Sequence, residues 1–163
     1  MSKGSVDSIY IAGAAKGPMV SVREAHAVPG RGLEGDRYFN QAGSFSKPLP
    51  DYELTLIEAE AVEDFKRDFG VEFEAGDGRR NIVTRGVSLN DLVGQEFHVG
   101  CVRLRGIRLC EPCSHLAKLS HRAVLRGLVH RGGLRAQILT DGKIRVGDEI
   151  EGRSSRAGAS PSS

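Results

Sequence analysis

The sequence has no tryptophan, and its aromatic residues number nine, six phenylalanines and three tyrosines in 163 positions. None lies between residues 101 and 140, where the chain is richest in arginine, so the interleaving of aromatic rings and cations that stacks single-stranded bases is absent. Cysteine is scarce too. Three is a low and odd count, which excludes a disulfide framework and suits a reducing compartment in which a thiol does chemistry. No apolar run reaches 18 residues, and residues 1–22 lack a basic start followed by a continuous apolar stretch. Nothing therefore directs the chain into or across a membrane, and the cytoplasm is the expected location. A net charge of +2 excludes a generic polyanion binder.

What charge there is sits unevenly. Between residues 101 and 140, eight Lys and Arg residues stand against one acidic residue, Glu111. Such a segment suits a phosphate-bearing ligand, although a solvated basic face has the same composition. Short alternating apolar runs at 6–11, 19–22, 96–109 and 134–150 read as strands, with Gly100 at a turn and Asp141-Gly142 as a tight hairpin turn inside the last run. One helix is expected from Thr55, with Glu58 completing a capping box, to Gly70, through Ile57, Ala61, Phe65 and Phe69. A second is expected from just after Cys113 to Gly132-Gly133. Twenty-one glycines and six prolines punctuate the remainder. The fold class that results is mainly β with a few helices, short strands closing into a small barrel. One domain is expected over residues 9–151, with an N-terminal arm at 1–8 and a serine- and glycine-rich disordered tail at 152–163.

Cys113 carries the sharpest chemical signal. It follows Arg103, Arg105 and Arg108 and stands at the expected start of the second helix, and cations and helix N-termini both lower a thiol pKa from its free value of about 8.5. A reactive or metal-bound sulfur is one reading; a buried cysteine packing as a small apolar residue is the other. Cys110 and Cys113 are spaced like half of a zinc site, but no second close pair of ligands accompanies them, and His26 or His115 would have to complete an irregular structural zinc module. Gly35-Asp36-Arg37 and Arg79-Arg80-Asn81 are polar clusters beside apolar segments. Guanidinium forks suit phosphate or carboxylate oxygens, and an amide can both donate to and accept from a heterocycle edge; a turn and a surface ion pair are the alternative. Lys16 reads either as a solvated turn residue or as a point charge for a phosphate.

The order of these pieces resembles a family. Lys-Gly-Pro-Met at 16–19, Gly-Leu-Glu-Gly-Asp-Arg-Tyr at 32–38, Arg-Arg-Asn-Ile-Val at 79–83, Leu-x-x-Leu-Val-Gly-x-x-Phe-x-Val-Gly at 89–100, Cys-Glu-Pro-Cys at 110–113, Gly-Gly-Leu-Arg-Ala at 132–136 and Asp-Gly-Lys-Ile-Arg-Val-Gly-Asp at 141–148 together look like a MOSC domain, named for the C-terminal domain of molybdenum cofactor sulfurases. The resemblance implies a closed barrel of the pyruvate-kinase-barrel-like type, binding of the pterin molybdenum cofactor (molybdopterin), and one essential cysteine, matched by Cys113 as catalytic residue and molybdenum ligand. Lys16, Asp36, Arg37, Arg79 and Asn81 match residues associated with the cofactor, and Arg80, Arg108 and His115 are expected to join them. Mutating Arg79 or Asn81 would then weaken cofactor retention without large loss of stability. Pyridoxal phosphate is not expected, because 163 residues leave no room for a desulfurase domain.

Two enzymatic roles follow from the resemblance: reduction of N-hydroxylated compounds at the cysteine-ligated metal, or sulfur transfer through a Cys113 persulfide without stable cofactor. Both need an external electron or sulfur donor protein and a small-molecule substrate. From another class, the basic segment would be a nucleic-acid-binding face with structural cysteines, which the missing aromatic residues disfavour.

Overall fold

The computed structural model describes residues 3–13, 18–36, 53–70, 80–109 and 133–152. Eleven strands are described: β1 (Lys3–Ile11), β2 (Val20–Val22), β3 (Glu24–Val28), β4 (Gly32–Leu33), β5 (Leu54–Glu58), β6 (Ile82–Arg85), β7 (Glu96–Val99), β8 (Val102–Leu109), β9 (Leu134–Ile138), β10 (Gly142–Arg145) and β11 (Glu149–Gly152). Seven of them pair in the order β11-β7-β8-β9-β5-β6-β1, and β1 pairs again with β11, so the sheet closes on itself as a mixed barrel. β2 extends from β1, and β10, β3 and β4 form a separate small sheet. The chain is thus mainly β with one described helix, and the expected barrel is present. Among the described residues no helix is long and apolar enough to cross a membrane.

Alternation builds the interior. Ile9, Leu56, Ile82, Phe97, Leu104 and Leu134 point inward and are fully buried. On the outer face of β5 and β6, helix α1 (Ala59–Phe69) covers Ile57 and Val83 with Val62 and Phe65. β5 and β6 pair in parallel, which requires a crossover connection, and α1 lies on it.

That arrangement corrects the helix start. Residues 54–58 are a strand, the helix begins at Ala59, and Glu58 makes no side-chain cap. Its carboxylate instead accepts a hydrogen bond from the Leu89 N–H at 2.9 Å. Leu54, Thr55, Leu56 and Ile57 are all buried because β5 is covered on both faces, by the barrel interior and by α1. A strand buried on both faces loses its alternation and reads like the start of a helix. The other end is as expected: Gly70 adopts φ 60° and donates its N–H to the Lys66 carbonyl at 2.9 Å.

Two further expectations change. Asp141-Gly142 is not a hairpin turn, because β9 pairs with β5 and β8 while β10 pairs with β3 in the other sheet. The dipeptide marks the corner where the chain passes between sheets. The expected N-terminal arm belongs to the barrel from Lys3 onward, since Lys3 pairs with Glu151, and Gly152 ends β11 rather than opening a tail. The second helix and residues 153–163 fall outside the described residues. Gly100 makes the β7–β8 turn at φ 59°.

Gly133, in the Gly-Gly-Leu-Arg-Ala element, has φ +114°, and a Cβ there would collide with the Leu56 carbonyl oxygen. The glycine lets β9 enter against β5. Gly133→Ala is therefore expected to lower unfolding free energy by about 2 kcal/mol in a denaturant melt, from backbone strain and a contact that a rigid strand cannot relieve. An unchanged midpoint would show that β9 can shift away from β5.

Candidate functional site

Asn81 immediately precedes β6 and is fully buried. Its side-chain Oδ1 accepts from the Thr55 N–H at 3.1 Å and from the Thr55 hydroxyl at 3.2 Å, and its Nδ2 donates to the Tyr10 carbonyl at 3.1 Å. Its backbone joins the same partners: the Asn81 N–H donates to Thr55, and the Tyr10 N–H donates to the Asn81 carbonyl at 2.7 Å. One side chain thus ties β1, β5 and the start of β6 together. Two acceptor bonds and one donated bond leave a single amide N–H for any other group.

The row continues across the sheet. Thr55 is the cross-strand partner of Arg135 on β9, and Arg135 is the partner of Arg108 on β8. Directly paired residues project from the same face of a sheet. Thr55 and Arg135 alternate with core residues, so this face is the outer one, which α1 also covers further along β5. Arg135 is 9% exposed, whereas Arg108 is open to solvent. Two arginines at directly paired positions make this face cationic, which suits a phosphate or carboxylate beside them.

Two irregularities place the row. The β8–β9 register shifts between Gly106 and Arg108, inserting Ile107 and returning Arg108 to the outer face. A second shift between Val6 and Ser8 on β1 lets Val6 and Ile9 both face the core and leaves Tyr10 against the α1 cluster, beside Asn81.

Beyond Tyr10, the end of β1 is held by Asp36. This carboxylate is fully buried, and its Oδ1 accepts from the Ala12 N–H at 3.0 Å. Arg80, next to Asn81, is 8% exposed. Asp36 is thus linked to Asn81 through the end of β1, and Asn81 to Arg108 through Thr55 and Arg135, while Arg80 adjoins Asn81 in sequence. Lys16, Arg37, Arg79, Cys113 and His115 lie outside the described residues. The segment carrying both Cys110 and Cys113 begins where β8 ends, at Leu109, the partner of Leu134.

Thr55 was expected only as a helix cap and Arg135 only as part of the basic segment and of a family element; neither they nor Glu53 were expected at the site. Arg135 had a usable signal, since it sits between Leu134 and Ala136 in an alternating strand. Glu53 is 6% exposed and precedes β5; its Oε1 accepts from the Gly30 N–H at 3.2 Å and the Ile138 N–H at 3.0 Å. Burial raises its pKa above the ordinary 4.5, against the opposing effect of those two N–H groups. An acid whose folded pKa is raised stabilises the fold below its unfolded pKa, and that contribution is lost as pH rises through the folded value. Glu53→Gln, which can keep both bonds without a charge, is expected to melt higher than the parent at pH 7 and to lose the parent's decline above pH 4.5. Identical pH profiles would refute a buried charge at this position.

His26 on β3 is bracketed by carboxylates, with Asp141 2.7 Å from Nε2 and Glu34 3.2 Å from Nδ1. With a carboxylate at each nitrogen, both nitrogens are best satisfied as donors in the protonated ring, and the hydrogen bond to Asp141 is the main cause of a raised His26 pKa. No group of three His, Cys, Asp or Glu residues among those described could hold a metal ion, and the zinc alternative that would join His26 to Cys110 and Cys113 lies outside the described residues.

The sequence matches the model of the MOSC domain over residues 34–151. The chain belongs to the MOSC domain family. No curated protein matches the sequence. Similar folds occur in the YuaD protein from Bacillus subtilis, with 17% identity over 93% of this chain and 96% of that one at a TM-score of 0.79. YiiM from Geobacillus stearothermophilus has 15% identity over 96% of this chain and 78% of that one at 0.72. YiiM from Escherichia coli has 20% identity over 92% and 70% at 0.65. At such identities the likeness concerns the fold, and it agrees with the closed MOSC-type barrel described above.

Proposed function

We propose that this MOSC protein binds the pterin molybdenum cofactor, with Cys113 as metal ligand, and acts in the reduction of N-hydroxylated compounds. The observation that supports this reading is the outer-face row from Asn81 through Thr55 and Arg135 to Arg108, one residue before the end of the strand that leads into the cysteine element. The donor set fits such a group: paired guanidiniums for a phosphate, and a thiolate in the adjoining sequence for a soft metal. Asn81 departs from the expected pterin contact, since most of its amide is committed to Thr55 and Tyr10; its role in this reading is to hold the strands that present the arginines.

When bound, the molybdenum centre would supply two-electron oxygen-atom exchange. The residues of this chain bind and orient: Arg108 and Arg135 neutralise an oxyanion, Asp36 fixes the end of β1, and Lys16, Arg37 and Arg79 supply further cations. Electrons come from a separate donor protein, in the cytoplasm. The test is elemental and pterin analysis of protein purified from a host that makes the cofactor, with stoichiometric molybdenum and pterin expected. Metal-free protein carrying a terminal sulfur on Cys113 would replace this reading with that of a sulfur carrier.

A further inference from the structure

His26 stands apart from the arginine row yet connects to it through a short path. Its ring spans Asp141, at the corner between the barrel and the small sheet, and Glu34, just after β4. The backbone reinforces the second link, because the Glu34 N–H donates to the His26 carbonyl at 2.9 Å. Two residues beyond Glu34 is Asp36, whose N–H donates to the Leu33 carbonyl at 3.0 Å and whose carboxylate holds Ala12. Between them Gly35 turns at φ +86°, a conformation that a non-glycine residue rarely adopts. Ala12 and Asp36 are also the points from which the chain departs towards Lys16 and Arg37, both expected to contact the cofactor.

We infer that His26 is a positioning residue: bridged between Asp141 and Glu34, it seats the Glu34–Asp36 turn and thereby the end of β1, the two points from which the sequence continues to Arg37 and to Lys16. The inference rests on the proposed cofactor reading for its functional consequence, but not for its structural part.

The charges around the ring are mixed. Asp141 and Glu34 favour its protonated form, partial desolvation of the ring opposes it, and Lys143 is its cross-strand partner on β10. Lys143 is itself turned towards Glu24, 3.4 Å away, and Glu24 also holds Arg145 at 3.1 Å. With its pKa raised above the ordinary 6.5, His26 contributes its bridge fully below that value and loses it as pH rises through the folded pKa. Because the carboxylates are solvent-exposed, salt should weaken the bridge.

The test uses the full chain and amide exchange followed by NMR. The ratio of Ala12 to Val83 exchange rates cancels the intrinsic pH dependence, since Val83 lies in β6, away from the small sheet. This ratio is expected to rise at least about threefold in one step centred on the His26 titration midpoint, and the step should vanish in His26→Gln. No step in the parent protein, or the same step in the variant, would overturn the inference, and the parent titration decides it even if the variant fails to fold. Pterin content of His26→Gln tests the functional half separately: loss beside a positive exchange result supports it. Full retention beside that result overturns the functional half and leaves the positioning role standing, whereas a parent protein without pterin counts against the cofactor reading itself.

Discussion

Cys113→Ser is expected to remove molybdenum and turnover together while the melting temperature stays where it was. The exchange is nearly isosteric, so packing changes little, but the ligand chemistry changes completely. A thiolate is soft, and in the reading above it follows Arg103, Arg105 and Arg108, which favour its ionised form. A serine hydroxyl is hard and stays protonated at neutral pH, so it offers a molybdenum centre or a terminal sulfur nothing comparable. Cys110→Ser is expected to be milder. Elemental analysis, pterin content and a thermal melt on the same preparations check the result. Full molybdenum and turnover in the Cys113 variant would defeat the assignment of that residue.

Asn81→Ala should be the most destabilising of the changes considered, reversing the expectation drawn from sequence that Asn81 matters for ligand and not for stability. Truncation strands the Thr55 N–H and the Tyr10 carbonyl, and removes the acceptor of the Thr55 hydroxyl proton. The Thr55 hydroxyl still accepts from the Asn81 N–H, and both remaining losses are in a region with little water. A buried polar group left without its partner costs about 1–3 kcal/mol, so the total should be about 3 kcal/mol, a fall in melting temperature of roughly 6–12 °C. Arg108→Ala provides the contrast. Arg108 is exposed, so its removal should leave the melt in place while lowering cofactor retention. If Asn81→Ala melted within about 2 °C of the parent, the strands would be held by something other than this amide.

The difference between those two substitutions shows what the residues alone could reveal. Single-covered strands were legible from alternation: β7 and the first part of β8 keep apolar residues on one side and polar ones on the other, and Gly100 and Gly70 fall where positive φ ends one element and starts the next. β5 was not legible, because α1 and the barrel interior bury both its faces and erase the period that distinguishes a strand from a helix. The Asp141-Gly142 dipeptide signalled a change of direction, but a dipeptide cannot say with which strand the chain will pair next.

The candidate site divides along the same line. By itself the sequence determined the residue types and their order, a cysteine after an arginine-rich strand and cationic or amide elements spaced along the chain, enough to identify the family that the match over residues 34–151 bears out. Which of those residues face one another was decided only by the closed barrel. Asn81 and Arg108 are 27 positions apart in sequence, yet they occupy one row because β5 and β9 lie between β6 and β8. Arg108 shares the outer face with Arg135 because a one-residue bulge shifts the phase of β8, and Asn81 became a structural clamp because two neighbouring strands brought Thr55 and Tyr10 within reach of its amide. Pairing partners and phase are properties of the closed sheet, set by which apolar faces can be buried together, and no local stretch of sequence contains them.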